Sequence, residues 1–234
     1  EAVDPNTSTG MRNPGSNNLV SGQSAWMQTI GSEYIEKAFE YARKYAPEGC
    51  KLFYNDYNEY ETKKRDFIYN ILKDLKEKDL VDGMGMQSHW VMQYPSISMF
   101  EEAVKKYSEL GLEIQLTELD IKNPDNSEYA LNQQATRYKQ IINKVMELKK
   151  GGANISAVVF WGVTDTTSWL GGYPLLFDGE YKAKPAYYSI IEDYVKGEPT
   201  DPTDPSQPTD PSNAAVSVNV KTTVNGNSVG QRYT

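Results

Sequence analysis

Leu112-Glu113-Ile114-Gln115-Leu116-Thr117-Glu118-Leu119-Asp120-Ile121 is the stretch on which the fold turns. The apolar and β-branched run from Leu112 to Thr117 reads as a strand that ends by delivering a carboxylate, Glu118, with a second, Asp120, two residues later. A strand covered on both faces reads as a near-continuous apolar run, and Glu at its C-terminal tip is how an α/β barrel presents a catalytic acid. Taken alone, Thr117-Glu118-Leu119-Asp120 is more simply a solvated turn after a strand. Recurrence argues for the barrel.

Lys51-Leu52-Phe53-Tyr54 reads as a strand that closes on Asn55-Asp56-Tyr57-Asn58. The run 81–86 reads as another and closes on Gln87-Ser88-His89-Trp90; its Gly83 and Gly85 suggest close backbone packing. The run 155–160 closes on Trp161-Gly162-Val163-Thr164-Asp165. Between these runs, apolar residues recur at helical spacing. A helix is expected over 28–46, through Ile30, Tyr34, Ile35, Ala38, Ala42 and Tyr45, stopped by Pro47 and Gly49. Others are expected over 61–78, over 97–109 with Ser96 or Ser98 as cap, over 128–149 up to Gly151-Gly152, and over 185–195.

Strands alternating with helices at this spacing imply parallel pairing through right-handed crossovers. A doubly wound sheet and a (β/α)8 TIM barrel both fit. Asn55 and Tyr57, Gln87 and His89, Glu118 and Asp120, and Trp161 all follow strand ends, and a site built from successive strand tips favours the barrel. No glycine-rich phosphate loop follows any strand, which weakens a nucleotide-binding reading.

The 234 residues carry a formal net charge of -8 together with 17 Tyr and 4 Trp. An acidic, aromatic-rich chain argues against nucleic acid or an anionic membrane as partner, because a phosphate backbone demands a basic face. No apolar run is long enough to span a bilayer as a helix. Cys50 is the only cysteine and His89 the only histidine, so an internal disulfide and a Cys- or His-rich metal site are excluded, and no cofactor is expected. Cys50 itself is expected as a small buried hydrophobe opening a strand.

The runs Leu52-Phe53-Tyr54-Asn55-Asp56-Tyr57-Asn58, Gly83-Met84-Gly85-Met86-Gln87-Ser88-His89, Thr117-Glu118-Leu119-Asp120 and Phe160-Trp161-Gly162-Val163-Thr164-Asp165, with Ser168-Trp169, Leu175-Leu176-Phe177-Asp178 and Lys184-Pro185-Ala186-Tyr187, resemble the second half of the family 10 glycoside hydrolases, the endo-1,4-β-xylanases. Each run alone is moderately specific; together and in order they are strong. The resemblance covers about residues 1–196 and implies a barrel enzyme that hydrolyses 1,4-β-xylosidic bonds of xylan or xylo-oligosaccharides with retention.

It also implies roles. Glu118 is the expected nucleophile. The opening Glu1-Ala2-Val3-Asp4-Pro5 is similar to the Asn-Glu-Ala motif that ends the family's fourth strand, starting at its Glu, so Glu1 is the expected acid/base. In retaining enzymes the two carboxyl groups lie about 5–5.5 Å apart. An α-amino group beside the Glu1 carboxylate would favour its ionised form and blunt it as an acid. His89 is expected to bridge Glu118 and Asp120, which share a strand face at i and i+2. Gln87 is expected near the sugar 2-hydroxyl, Asn55 and Tyr57 on the aglycone side, and Trp161 and Trp169 as floor and wall against which pyranose faces stack. From the residues alone, Tyr57 is equally a packed strand-end aromatic, and Trp26 and Trp90 are core or rim. Asp165 and Asp178 are expected to make loop hydrogen bonds.

A complete barrel takes about 200 residues or more, whereas residues 1–196 hold strand candidates for only half of one. The chain is therefore expected to be a fragment beginning at the acid/base. Residues 197–213 are a Pro-Thr-Asp spacer, extended and semi-rigid. Residues 214–234 open with clean alternation from Ala215 to Val224 and an Asn225-Gly226 hairpin signal, as a carbohydrate-binding β-module would. A spacer of this kind implies secretion. Two alternatives stay open: a half-barrel that grips xylan without cleaving it, and a cellulase-like β-glycanase, which would share the carboxylates but not the Gln87-Ser88-His89 context.

Overall fold

The computed structural model describes residues 1–15, 22–195, 222–224 and 227–229. They fall into two compact units, Glu1–Asp193 and Tyr194–Thr234. In the first, β1 (Asn13–Pro14) pairs in parallel with β2 (Gln23–Ser24), and α1 (Ala25–Ile30) follows directly. The Ser24 hydroxyl accepts from the Met27 amide and caps α1. The helix expected over 28–46 is in fact broken: Gly31 has φ 89°, a conformation no helical residue holds, and α2 restarts at Tyr34–Tyr45. β3 (Phe53–Asp56), α3 (Thr62–Glu77), β4 (Gly83–Met86), β5 (His89–Val91), α4 (Ile97–Ser108), β6 (Glu113–Lys122), α5 (Glu128–Lys150), β7 (Ile155–Phe160) and α6 (Pro185–Val195) follow. Ser96 rather than Ser98 caps α4, through the Met99 amide.

All pairings in the main sheet are parallel. β3 pairs with β4; β6 takes β4 along Glu113–Leu116 and β5 along Asp120–Lys122; β7 lies on its other side. β4 and β5 are thus one broken strand, interrupted at Gln87-Ser88, where Ser88 turns left-handed with φ 64°. This pairing carries β6 four residues past the end expected at Thr117-Glu118, so Glu118 sits inside the strand, not at its tip. A register shift against β7 falls between Leu116 and Leu119.

One face of the sheet is dry. Met84, Met86, Ile114, Leu116, Leu119 and Ile121 are buried with Ile68 and Leu72 of α3, Phe100, Val104 and Tyr107 of α4, and Tyr138 and Ile141 of α5. The opposite face carries Phe53, Asn55, Gly83, Gly85 and Thr117. A Cβ on Gly83 would stand 2.2 Å from the Phe53 ring, and one on Gly85 2.5 Å from Asn55 Oδ1, so both glycines give way to a side chain of the neighbouring strand. Helices covering one face of a parallel sheet, with chemistry-bearing residues on the other, make this part of a (β/α)8 barrel.

Cys50 is exposed, contrary to the expectation of burial. The chain leaves α2 through a turn at Pro47–Gly49, and pairing starts only at Phe53↔Gly83, so Cys50 lies on the approach to the strand rather than in it.

In the second unit β8 (Thr222–Val224) and β9 (Asn227–Val229) pair antiparallel, Thr222↔Val229 to Val224↔Asn227. The expected turn at Asn225-Gly226, the spacer at 197–213 and the alternating residues before Thr222 lie outside the described residues.

Candidate active site

β6 supplies two acids, and β5 supplies the base between them. His89 Nδ1 lies 3.0 Å from Asp120 Oδ1, and His89 Nε2 lies 3.2 Å from Glu118 Oε2. With both carboxylates ionised, each ring nitrogen faces an acceptor, so both must carry hydrogen and the ring is an imidazolium. Burial by itself would lower the His89 pKa; the bonds and charges of Asp120 and Glu118 outweigh it and raise the value above the ordinary 6.5. Asp120 is wholly buried, and its second oxygen accepts from Trp169 Nε1 at 2.9 Å. The His89 and Trp169 rings meet edge to face with centroids 4.9 Å apart.

Glu118 is held from its other side. Asn55 Nδ2 donates to Glu118 Oε1 at 2.8 Å, and the Asn55 carbonyl accepts from the Thr117 hydroxyl at 2.7 Å, which fixes the amide the right way round. Each Glu118 oxygen therefore receives one donor and keeps a lone pair free.

Glu1 is positioned from beneath. The Asp56 carboxylate, wholly buried in β3, accepts from the Ala2 and Val3 amides at 3.2 and 3.4 Å and from the Tyr54 hydroxyl at 2.6 Å, and pairs with Lys64 at 2.8 Å. The Glu1 side chain, exposed to 44%, meets Gln87 Nε2 at 3.1 Å on one oxygen and Arg12 Nη2 at 3.1 Å on the other. Arg12 also reaches the Tyr57 hydroxyl at 3.5 Å.

Glu1, Gln87, His89, Glu118, Trp161 and Trp169 line one cleft of about 540 Å³, and Tyr57 faces it as well. Trp161 and Trp169 are largely exposed there, at 46% and 63%. Two of the expected substrate-side residues also hold the carboxylates. Asn55 bonds to Glu118 and lines a second cavity of about 520 Å³ with Trp26 and Tyr34, and Gln87 bonds to Glu1. Trp90 is core, packed edge to face on Phe100, and Trp26 is exposed. Asp165 accepts from the Leu175 amide and pairs with Lys184, and Asp178 accepts from the Glu180 and Lys182 amides, which makes both the loop-bonding residues expected. The sequence does not single out Arg12. Arg12 stands in an irregular segment with no motif around it, and only its distance to Glu1 gives it away. Among the described residues no cluster of His, Cys, Asp and Glu could hold a metal.

Residues 1–193 match the family described as Glycosyl hydrolase family 10. The chain belongs to that family. This family 10 chain is 44% identical over 187 residues to endo-1,4-β-xylanase B of Butyrivibrio fibrisolvens, covering 76% of its own length and 29% of that protein. It superposes with TM-score 0.71 at 43% identity on the crystal structure of Clostridium thermocellum endo-1,4-β-D-xylanase 10B in complex with xylohexaose, covering 78% of itself and 36% of that chain. The intracellular xylanase of Thermoanaerobacterium saccharolyticum gives TM-score 0.71 at 42% identity, with coverage of 82% and 55%. The family 10 chain thus spans little more than half of this second solved relative and less than a third of the first curated one.

Proposed function

We propose that this chain supplies the nucleophile and the acid/base of a retaining endo-1,4-β-xylanase acting on xylan and xylo-oligosaccharides. Glu118 attacks the anomeric carbon while Glu1 protonates the departing glycosidic oxygen. Water then cleaves the glycosyl–Glu118 ester as Glu1, now ionised, takes its proton. The carrying observation is that Glu118, fixed by Asn55 and by a His89 charged between two carboxylates, faces the same cleft as Glu1. Gln87 and Arg12 hold the Glu1 carboxyl group, and Trp161 and Trp169 offer exposed indole faces to an uncharged pyranose. That the matched relatives are named xylanases, one of them solved with xylohexaose, supports xylan as the substrate. The spacer at 197–213 and the β-residues after it are read as a tether and a carbohydrate-binding module of a secreted enzyme, from composition alone.

The test is reducing-sugar release from soluble xylan by this chain, by the same chain extended to the length of its solved relatives, and by Glu118→Gln in both. Release abolished by Glu118→Gln supports the reading. An extended protein that binds xylan yet releases nothing replaces it with a non-catalytic xylan-binding role, which the exposed Trp161 and Trp169 also suit.

A further inference from the structure

Glu59 lies beneath the site, wholly buried, in the turn between β3 and α3. Its Oε2 has no hydrogen-bond partner, and its Oε1 lies 3.4 Å from the Ser88 hydroxyl. Ser88 is the left-handed residue that breaks β4 from β5, and it separates Gln87, which bonds Glu1, from His89, which bonds Glu118 and Asp120. Its hydroxyl also lies 3.1 Å from the Met86 carbonyl, and its own carbonyl accepts from the Asp120 amide. A non-glycine residue at positive φ carries strain and persists only where its surroundings over-determine it.

The proton count decides the chemistry. Ser88 has one hydroxyl proton and two acceptors in reach, Met86 O and Glu59 Oε1. If Glu59 were ionised, one acceptor would go without, and a buried charge would stand with one oxygen bare. Lys64, the cation whose charge acts on Glu59, is paired with Asp56 at 2.8 Å. If Glu59 is neutral, its O–H donates to Ser88 Oγ, and Ser88 donates onward to Met86 O, so every proton on that line has an acceptor.

We propose that Glu59 is a positioning residue that works as a neutral acid, locking the Ser88 turn and through it the placement of Gln87 and His89. The groups that face it are Asp56 of β3, Lys64 of α3, Tyr60 beside it and Tyr107 of α4, whose hydroxyl donates to the Glu59 backbone carbonyl at 2.8 Å. Burial, and then the Asp56 charge, push the Glu59 carboxyl up to about 8, against the lowering effect of its own backbone N–H, Lys64 and Ser88. The lock therefore opens on the alkaline side. The inference rests on the proposed function only for its catalytic consequence; the geometry at His89 can be read without turnover.

The test compares wild type, Glu59→Gln and Glu59→Ala in the protein extended to the length of its solved relatives. The NMR titration of His89, its signal assigned by its loss in His89→Gln, melting temperature against pH, and xylan hydrolysis against pH are all measured. Gln copies the neutral acid in shape and keeps a donor. It should leave the His89 titration where it is and hold activity near neutrality. It should move the alkaline limb of the activity profile to higher pH, with a melting advantage over wild type that widens between about pH 5 and about pH 8. Ala should shift the His89 titration and lower kcat by about tenfold or more. The proposal is overturned if Gln behaves like Ala near neutrality, if its melting advantage is flat with pH, or if Ala leaves His89 unmoved. Should wild type release no sugar, the functional reading fails alone, and the His89 titration and the melting series still decide the role of Glu59.

Discussion

Asp120 Oδ1 lies 3.0 Å from His89 Nδ1, and Asp120 has no exposed surface at all. A carboxylate so placed needs its partner charged, because a buried ion is tolerated only when paired and hydrogen-bonded. The relationship fixes the orientation of the one histidine ring in the chain and turns its other nitrogen toward Glu118.

The first prediction follows from that pairing. The ring of His89 will titrate above its ordinary value, and Asp120→Asn will bring the midpoint down. The sign for stability is also set. A histidine whose folded pKa is raised stabilises the fold fully below its unfolded pKa, and that contribution is lost as pH rises through the folded value. One-histidine NMR across neutral pH reads both quantities directly. A midpoint at or below 6.5 in the wild type would contradict the assignment of an imidazolium held between two acids.

Lys64 and Asp56 form the buried pair under Glu1, with side chains 3% and 0% exposed. Burial raises the Asp56 pKa, but the Lys64 charge and the bonds from Lys64 and the Tyr54 hydroxyl work against it, and the carboxyl lies below its usual range. A depressed carboxylate stabilises the fold above its unfolded pKa, and this is lost as pH falls through the folded value. Lys64→Met leaves Asp56 charged and unpaired, so it should cost about 3–5 kcal/mol in urea unfolding near neutrality. Because protonation removes that unpaired charge, the deficit should shrink as pH falls. A loss under about 1 kcal/mol would show that Asp56 is satisfied by the Tyr54 hydroxyl and the Ala2 and Val3 amides without it.

How much of this was legible in the sequence depends on what each signal encodes. Period-2 and period-3.6 hydrophobicity encode burial on one face, so the helix at 128–149 and the strand at 155–160 were placed within a residue or so. The same signal cannot see pairing. β6 runs on to Lys122 because β5 hydrogen-bonds to it there, and β5 itself is three residues long with no pattern of its own. Gly31 breaks the first long helix through backbone freedom, which an apolar repeat does not record. Glu1, Gln87, His89, Glu118, Trp161 and Trp169 meet in one cleft as a set because the C-terminal halves of the strands and the loops around them converge in a barrel. Arg12 and Glu59 could not be found that way. One acts from an irregular segment, and the other looks like any charged turn residue until its burial is known.

Trp169 joins two functions in one ring, an exposed face on the cleft and an Nε1–H bonded to Asp120 at 2.9 Å. Substituting Phe keeps much of the face and deletes the donor; substituting Ala removes both. Trp169→Phe should cost about 1–3 kcal/mol through the unsatisfied Asp120 oxygen. Trp169→Ala should in addition raise KM for xylo-oligosaccharides. If the two variants share the same KM, the indole is not a sugar-stacking surface.

Gly85 tests whether the site depends on how closely two strands approach. A methyl group there would stand 2.5 Å from Asn55 Oδ1 and 3.1 Å from both Asn55 Cγ and Thr117 Cγ2. Asn55 cannot retreat freely, since its carbonyl takes the Thr117 hydroxyl and its amide gives to Glu118. Gly85→Ala must therefore rotate the amide or move the strand, and either breaks the bond that holds Glu118 from the far side. Overpacking of this kind costs about 1–3 kcal/mol. The larger effect should fall on turnover, because displacing a reacting group by about 1 Å can cost about a hundredfold. Gly83→Ala is the control. Its methyl group would stand 2.2 Å from the Phe53 ring, which makes no hydrogen bond to Glu118, so it should lose similar stability with far less of the activity. Melting temperature and xylan turnover measured side by side on the two variants separate packing from positioning. If they fall together in both, Asn55 is a bystander and Glu118 is held by His89 alone.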